Sequence, residues 1–278
     1  MQFKSIMTVW DSQERAAPAM DLARRMAMES DGHLDVLCIG IDRIQPGLYY
    51  AGATPIASGE SIQDAIKEAR ESEAKAKAYF DGSALNWSSQ STVAQISGLS
   101  HVVGDMARFN DLVVLPHPYG KDVPEESAFI LEAVLFRGHT PVLVCPAKTP
   151  ESFGKRIVIG WNDSDEAMAA IKTALPLIAK ADAVDIAIID PKLHAEDQSD
   201  IGSNLSKMLT RHGAKVTVSV LARTVPKISD ILERHAIDFD ADMIVVGAYG
   251  HSRLRESIMG GTTRNLLEGF SLPVLMAR

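Results

Sequence analysis

Two stretches of this chain repeat one another. Lys4-Ser5-Ile6-Met7-Thr8-Val9-Trp10-Asp11 is echoed by Lys155-Arg156-Ile157-Val158-Ile159-Gly160-Trp161-Asn162, with the tryptophan and the polar residue after it in register. Each reads as an apolar strand ending in a turn. A repeat fixes architecture before any motif does, because both copies must fold as the same unit. Further strands follow in the same order. Leu34-Asp35-Val36-Leu37-Cys38-Ile39 matches Val184-Asp185-Ile186-Ala187-Ile188-Ile189, residues 92–96 face 216–220, residues 111–115 face 242–246, and residues 141–144 face 273–276.

Helical spacing of apolar residues fills the intervals. It predicts helices over 14–28 and 164–180, the second carrying Ala167, Met168, Ile171, Leu175 and Ile178 on one face, with Pro176 expected to kink or split it. Residues 61–80 and 198–211 also read as helices, and Gly82 and Gly213 follow them where left-handed caps are expected. Each half is thus βαβαβαβαβ, and apolar strands alternating with amphipathic helices indicate a parallel sheet covered on both faces. The fold class is α/β, two doubly wound five-stranded parallel-sheet domains in tandem, over residues 1–148 and 153–278. A length of 278 residues agrees, since a domain takes roughly 150. Residues 42–60 form a longer excursion in the first copy, either a surface loop or, through Leu48-Tyr49-Tyr50, a cover over a pocket or partner surface.

Charge and composition exclude several function classes. Residues 1–150 carry 13 basic and 19 acidic groups and residues 151–278 carry 15 and 17, so neither half has the basic excess of a nucleic-acid or membrane-surface binder. No apolar run reaches the roughly 18 residues of a membrane span, and the N-terminus opens as a strand instead of a signal peptide, so a cytoplasmic location is expected. Cys38 and Cys145 lie in apolar strands and read as buried reduced thiols. The histidines lack metal-ligand spacing, and no metal site is assigned.

Chemistry concentrates in one loop of the second copy. Its fourth strand leads into Gly247-Ala248-Tyr249-Gly250, then nine residues from His251 to Met259, then Gly260-Gly261-Thr262-Thr263 at the start of a helix. In a doubly wound sheet, ligands collect beyond the carboxyl ends of the strands, where the winding reverses. Gly247 and Gly250 allow a tight exit and a close approach of backbone to ligand. Gly260, Gly261, Thr262 and Thr263 bring unpaired amides and the positive end of a helix, which suit a phosphate. His251 and Arg253 add donors or positive charge, as does Arg255. Any single glycine could serve only a turn, and the threonines only a cap; four glycines at one junction ask for a common cause.

The pattern Gly-x-x-Gly, nine residues, Gly and a small residue resembles the ATP-binding signature of universal stress proteins, as do Val-Val-Gly-Ala-Tyr-Gly-His at its start and Leu-Pro-Val-Leu near the end of the chain. The resemblance covers the second half and reaches the first through the repeat. It implies strand order 3-2-1-4-5 and a pairing of the last strands of two domains, here 141–145 with 273–276 inside one polypeptide, with a homodimer as a further option. The implied cofactor is ATP, with or without magnesium. Its adenine and ribose contacts fall on Gly160, Trp161 and Asn162, and a base contact falls near Ile188. Asn162 stands where ATP-binding members commonly have aspartate; an amide still accepts a hydrogen bond but carries no charge.

The first copy keeps Asp11 but loses the loop. Pro116-His117-Pro118-Tyr119-Gly120 follows its fourth strand, and Ala128-Phe129-Ile130-Leu131 stands where the second copy has its phosphate glycines. Prolines remove amide donors and bulky side chains block approach, so no triphosphate is expected there. No GxxxxGK[ST] or early GxGxxG is present, which sets aside P-loop hydrolases and Rossmann dehydrogenases. Flavodoxins and phosphorelay receivers fall away too, the first because residues 162–166 are acidic. The sequence therefore predicts a stress-response protein that binds an adenine nucleotide in its C-terminal domain, with a regulatory role and little turnover. A scaffold, a binder of another small ligand and a slow ATPase drawing on Asp163 or His251 remain the alternatives.

Overall fold

A computed structural model describes residues 3–10, 13–43, 55–148, 151–191, 202–248 and 261–278. They form two compact units: one holds residues up to Pro118 together with Asp122–Thr140, the other Tyr119–Lys121 together with Pro141–Arg278.

The first unit runs β1 (Ser5–Trp10), α1 (Gln13–Glu29), β2 (His33–Asp42), α2 (Pro55–Phe80), β3 (Asn86–Gln95), α3 (Leu99–Ala107), β4 (Leu112–Pro116) and α4 (Glu126–Glu132). Its strands are parallel in the order β3-β2-β1-β4, with Ile6 opposite both Leu34 and Leu112. Helix α1 packs on β1 and β4 and α2 on β2 and β3.

The second unit contains β5 (Val142–Cys145), β6 (Arg156–Gly160), α5 (Asp165–Ile178), β7 (Ala183–Ile189), α6 (Ser203–Arg211), β8 (Val216–Leu221), α7 (Ile228–Asp238), β9 (Met243–Gly247), α8 (Gly261–Gly269) and β10 (Val274–Ala277). Strands β8-β7-β6-β9-β10 are parallel in the expected 3-2-1-4-5 order, and β5 joins β10 antiparallel, Val144 opposite Val274 and Val142 opposite Met276. The central strand is apolar on both faces because helices cover both. Ile157, Val158 and Ile159 are wholly buried, each such side chain contributing about 1.5–3 kcal/mol.

Several elements depart from the sequence expectation. Helix α5 runs unbroken through Pro176. The proline sits near the helix end, where Ala174 and Ile178 are fully buried and packing holds the last turn despite the lost amide. Helix α2 begins at Pro55, six residues before the 61–80 expectation, with proline at the first helical position, where its missing N–H costs nothing. Residues 55–60 of the expected excursion are therefore helical; Leu48, Tyr49 and Tyr50 lie outside the described residues. Strand β3 spans Asn86–Gln95, not 92–96. Its first half, Asn-Trp-Ser-Ser-Gln-Ser, is a half-exposed edge whose polar residues hide it from any hydrophobic pattern. Gly82 and Gly213 have φ of +69° and +89°, as capping requires.

Candidate functional site

Strands β6 and β9 are neighbours, yet the chain leaves them in opposite directions, β6 toward β7 and β9 toward β10. This reversal opens the crevice at their carboxyl ends. Gly160 and Val246 lie side by side there, and both are half-buried. A Cβ on Gly160 would meet Val246 Cγ1 at 2.9 Å and Leu232 Cδ2 at 3.4 Å. One on Gly247 would stand 2.8 Å from the carbonyl carbon of Glu166 and 2.9 Å from Ala167 Cα. Gly247 thus lets the first turn of α5 lie against the end of β9, a packing duty beside the strand exit that sequence suggests.

The turn after β6 is built by Ser164. Its backbone is extended and its hydroxyl caps α5, accepting from the Ala167 amide at 3.1 Å and donating to Asn162 Oδ1 at 2.8 Å. Asp163 takes a left-handed φ of +58° to make the turn. Asn162 is consequently exposed with its carbonyl oxygen held from behind, so its Nδ2 donors are the group left to face a ligand. The Trp161 amide extends the ladder by donating to Ala187 O at 3.0 Å, and the residue, next after β6, is half-buried. Its repeat partner Trp10 is 1% exposed and edge-on to Tyr79. Ile188 is buried, and its Cδ1 reaches within 2.9 Å of where a Cβ on Gly202 would stand. Its side chain is used in the core under the entry to α6, which leaves only its main chain for a base.

Helices α5 and α8 differ electrically at their starts. The first turn of α5 carries Asp165 and Glu166, which neutralise its positive end. Helix α8 opens at Gly261, contains Thr262 and Thr263, and has no carboxylate in its first turn. It is anchored by Leu266 and Leu267, both buried, and Thr263 is 7% exposed. Arg264 pairs with Glu268 at 2.7 Å, one turn on, and lies over the Tyr119 ring at 5.4 Å. The structure therefore gathers Gly160, Trp161, Asn162, Gly247 and the start of α8 within one unit. Gly250, His251, Arg253 and Gly260 lie outside the described residues. Sequence reading overlooked Ser164 as the residue that orients Asn162, although a serine just before the apolar run of α5 is a recognisable N-cap.

Among the described residues, no three His, Cys, Asp or Glu side chains gather into a metal site and no helix is long and apolar enough to cross a membrane. Cys38 and Cys145 are buried and outside any disulfide, as expected.

Residues 154–278 match the model of the universal stress protein family. A curated universal stress protein of a Synechocystis species is 36% identical over 72 residues, 26% of this chain; the match spans 24% of that relative's length. Among solved structures, a universal stress protein from Archaeoglobus fulgidus aligns with a TM-score of 0.74 at 12% identity, covering 100% of this chain and 99% of its own. A putative universal stress protein from Pseudomonas aeruginosa aligns at 0.63 and 16% identity, covering 98% and 92%. At such identities the structural likeness is one of fold.

Proposed function

The chain belongs to the universal stress protein family through residues 154–278, and from that premise we propose that its C-terminal half binds an adenine nucleotide, ATP, as a regulatory ligand with little or no turnover. The observation that supports this reading is the start of α8, a helix without a carboxylate in its first turn, in the unit whose sheet reverses its winding between β6 and β9. Unpaired first-turn amides there suit the polyanionic tail that ATP supplies. The donor set fits an anion: main-chain N–H groups at 261–263 hold phosphate, Asn162 donates to the ribose, and Trp161 lines the same crevice.

Efficient hydrolysis needs a positioned base. Among the described residues, Asn162 carries no carboxylate and Asp163 is exposed in the turn, which supports holding a nucleotide over turning it over. Buried cysteines outside any disulfide accord with work in a reducing cytoplasm. A second reading, a scaffold or a binder of another small ligand, is favoured by the packing duties of Gly160 and Gly247, which account for two of the glycines without any ligand.

The test is Gly261→Pro. Proline is tolerated at the first helical position and deletes one amide donor. Titration of labelled ATP should show affinity falling by about 10- to 100-fold, the worth of one hydrogen bond to a charged group. Unchanged affinity, or no ATP binding by the parent protein, sinks the proposal. Phosphate release at the rate of the blank is expected over hours; a sustained rate above it points to a slow ATPase.

A further inference from the structure

Beyond the carboxyl ends of β1, β2 and β4, the first unit ties its own charged side chains together. Arg15, in the first turn of α1, donates from Nη1 to His117 O and from Nη2 to Ser127 Oγ, both at 2.8 Å. It thereby ties α1 to the loop after β4 and to α4. Arg43, just past β2, places Nη2 2.6 Å from Glu126 Oε1 and Nη1 3.4 Å from Glu68 Oε2. The Glu126 side chain is only 12% exposed, and Ser127 is buried beside it. Counting from the paired tryptophans, Arg15 stands where the second unit has Glu166, so the charge at this position is reversed between the copies.

We infer that the Glu126 carboxylate serves the first unit as a built-in anion, seated between Arg43 and Arg15 and closing the crevice to outside ligands. Burial lowers the Arg15 guanidinium from its ordinary value while the charge of Glu126 works to raise it. Burial also acts to lower Arg43, and is outweighed by the hydrogen bond and charge of Glu126, with Glu68 adding to them. Glu126 therefore acts on both cations from one position. With its charge removed, two guanidinium groups of planar, multi-donor geometry face the same space, an arrangement suited to phosphate or sulfate.

The experiment uses the full chain carrying Gly261→Pro, so that the proposed C-terminal site does not contribute. Thermal melts are recorded with inorganic phosphate and with sodium chloride at matched ionic strength. Adding Glu126→Ala should create a phosphate-specific rise in the melting midpoint of roughly 2–4 °C. The same protein with Glu126 intact should melt alike in both salts, and Arg15→Met combined with Glu126→Ala should lose the gain. Should Glu126→Ala fail to fold, Glu126→Gln removes the charge, keeps the shape, and is read in the same way. A folded Glu126 variant with no phosphate-specific response overturns the inference, as does an equal response with Glu126 intact. Neither result bears on ATP binding at α8, which is measured separately.

Discussion

The two crevices of this chain are cut from one repeat and have opposite electrical contents. In the first unit, Arg43 pairs with Glu126 and Glu68 while Arg15 donates to His117 O and Ser127 Oγ, which ties together α1, α2, α4 and the end of β2. In the second, Asp165 and Glu166 stand in the first turn of α5 with Asp163 in the turn before it, and α8 begins without a carboxylate in its first turn. A site for an anion thus depends less on fold than on which helix start the protein leaves unneutralised.

A similar divergence runs through the strands. Asp35 and Asp185 occupy the same place in the repeat. Asp35 is 39% exposed, accepting from Ser88 Oγ at 2.6 Å with His33 Nε2 at 3.5 Å. Asp185 is 2% exposed and is bonded to Thr217 Oγ1 at 2.5 Å, Ser219 Oγ at 3.0 Å and His235 Nε2 at 2.7 Å, which fastens β7 to β8 and α7.

Five substitutions or probes test how far the copies have parted. The largest effect is expected from Gly247→Val, whose side chain would enter the backbone of α5. Denaturant unfolding should show a loss of about 3 kcal/mol, and a loss under about 0.5 kcal/mol would mean that α5 is free to move away. The aligned position of the first unit holds Pro116, so the close approach belongs to the second copy. Next comes Asp185→Ala, which strands two hydroxyls and an imidazole and should cost roughly 3 kcal/mol. Asp35→Ala, at an exposed pair, should cost under about 1 kcal/mol. Equal losses would erase the distinction between them.

Ser164→Ala removes the α5 cap and should cost about 1 kcal/mol. Because Asn162 loses its support as well, ATP affinity should fall by roughly threefold, on the order of half a hydrogen bond; a variant with full affinity would detach Asn162 from the ligand. The smallest effect should be seen at Cys38, the repeat counterpart of Ile188. Burial, with Glu73 adding and Lys77 opposing, pushes its thiol up to about 12. At pH 8 the folded protein should therefore resist alkylation at Cys38 until it is unfolded. Ready labelling in the native state, mapped to Cys38 by mass spectrometry, would show that the first unit opens.

The strands and the helices between them were legible because apolar runs and 3.6-residue spacing are local properties, as in residues 157–159 and along α5, whereas the strand order came from the family resemblance. The glycine-rich start of α8 was legible for the same reason, since a helix announces its N-terminus within a few residues. The polar half of β3 was not, because an edge strand buries too little to leave a pattern. Nor was the continuity of α5 through Pro176, where Ala174 and Ile178 hold the turn by packing against distant strands.

Sequence by itself determined the tandem repeat, the parallel α/β architecture and the half of the chain in which an anion site is to be sought. Tertiary structure decided that Gly247 is needed for the approach of α5, that Asp185 is buried while Asp35 is not, and that Glu126 pairs with Arg43 while its neighbour Ser127 accepts from Arg15. The physical reason is distance along the chain. Arg15 and Ser127, or Asp185 and His235, meet only after the sheet has brought remote segments together, and burial and charge pairing depend on neighbours that no local pattern names.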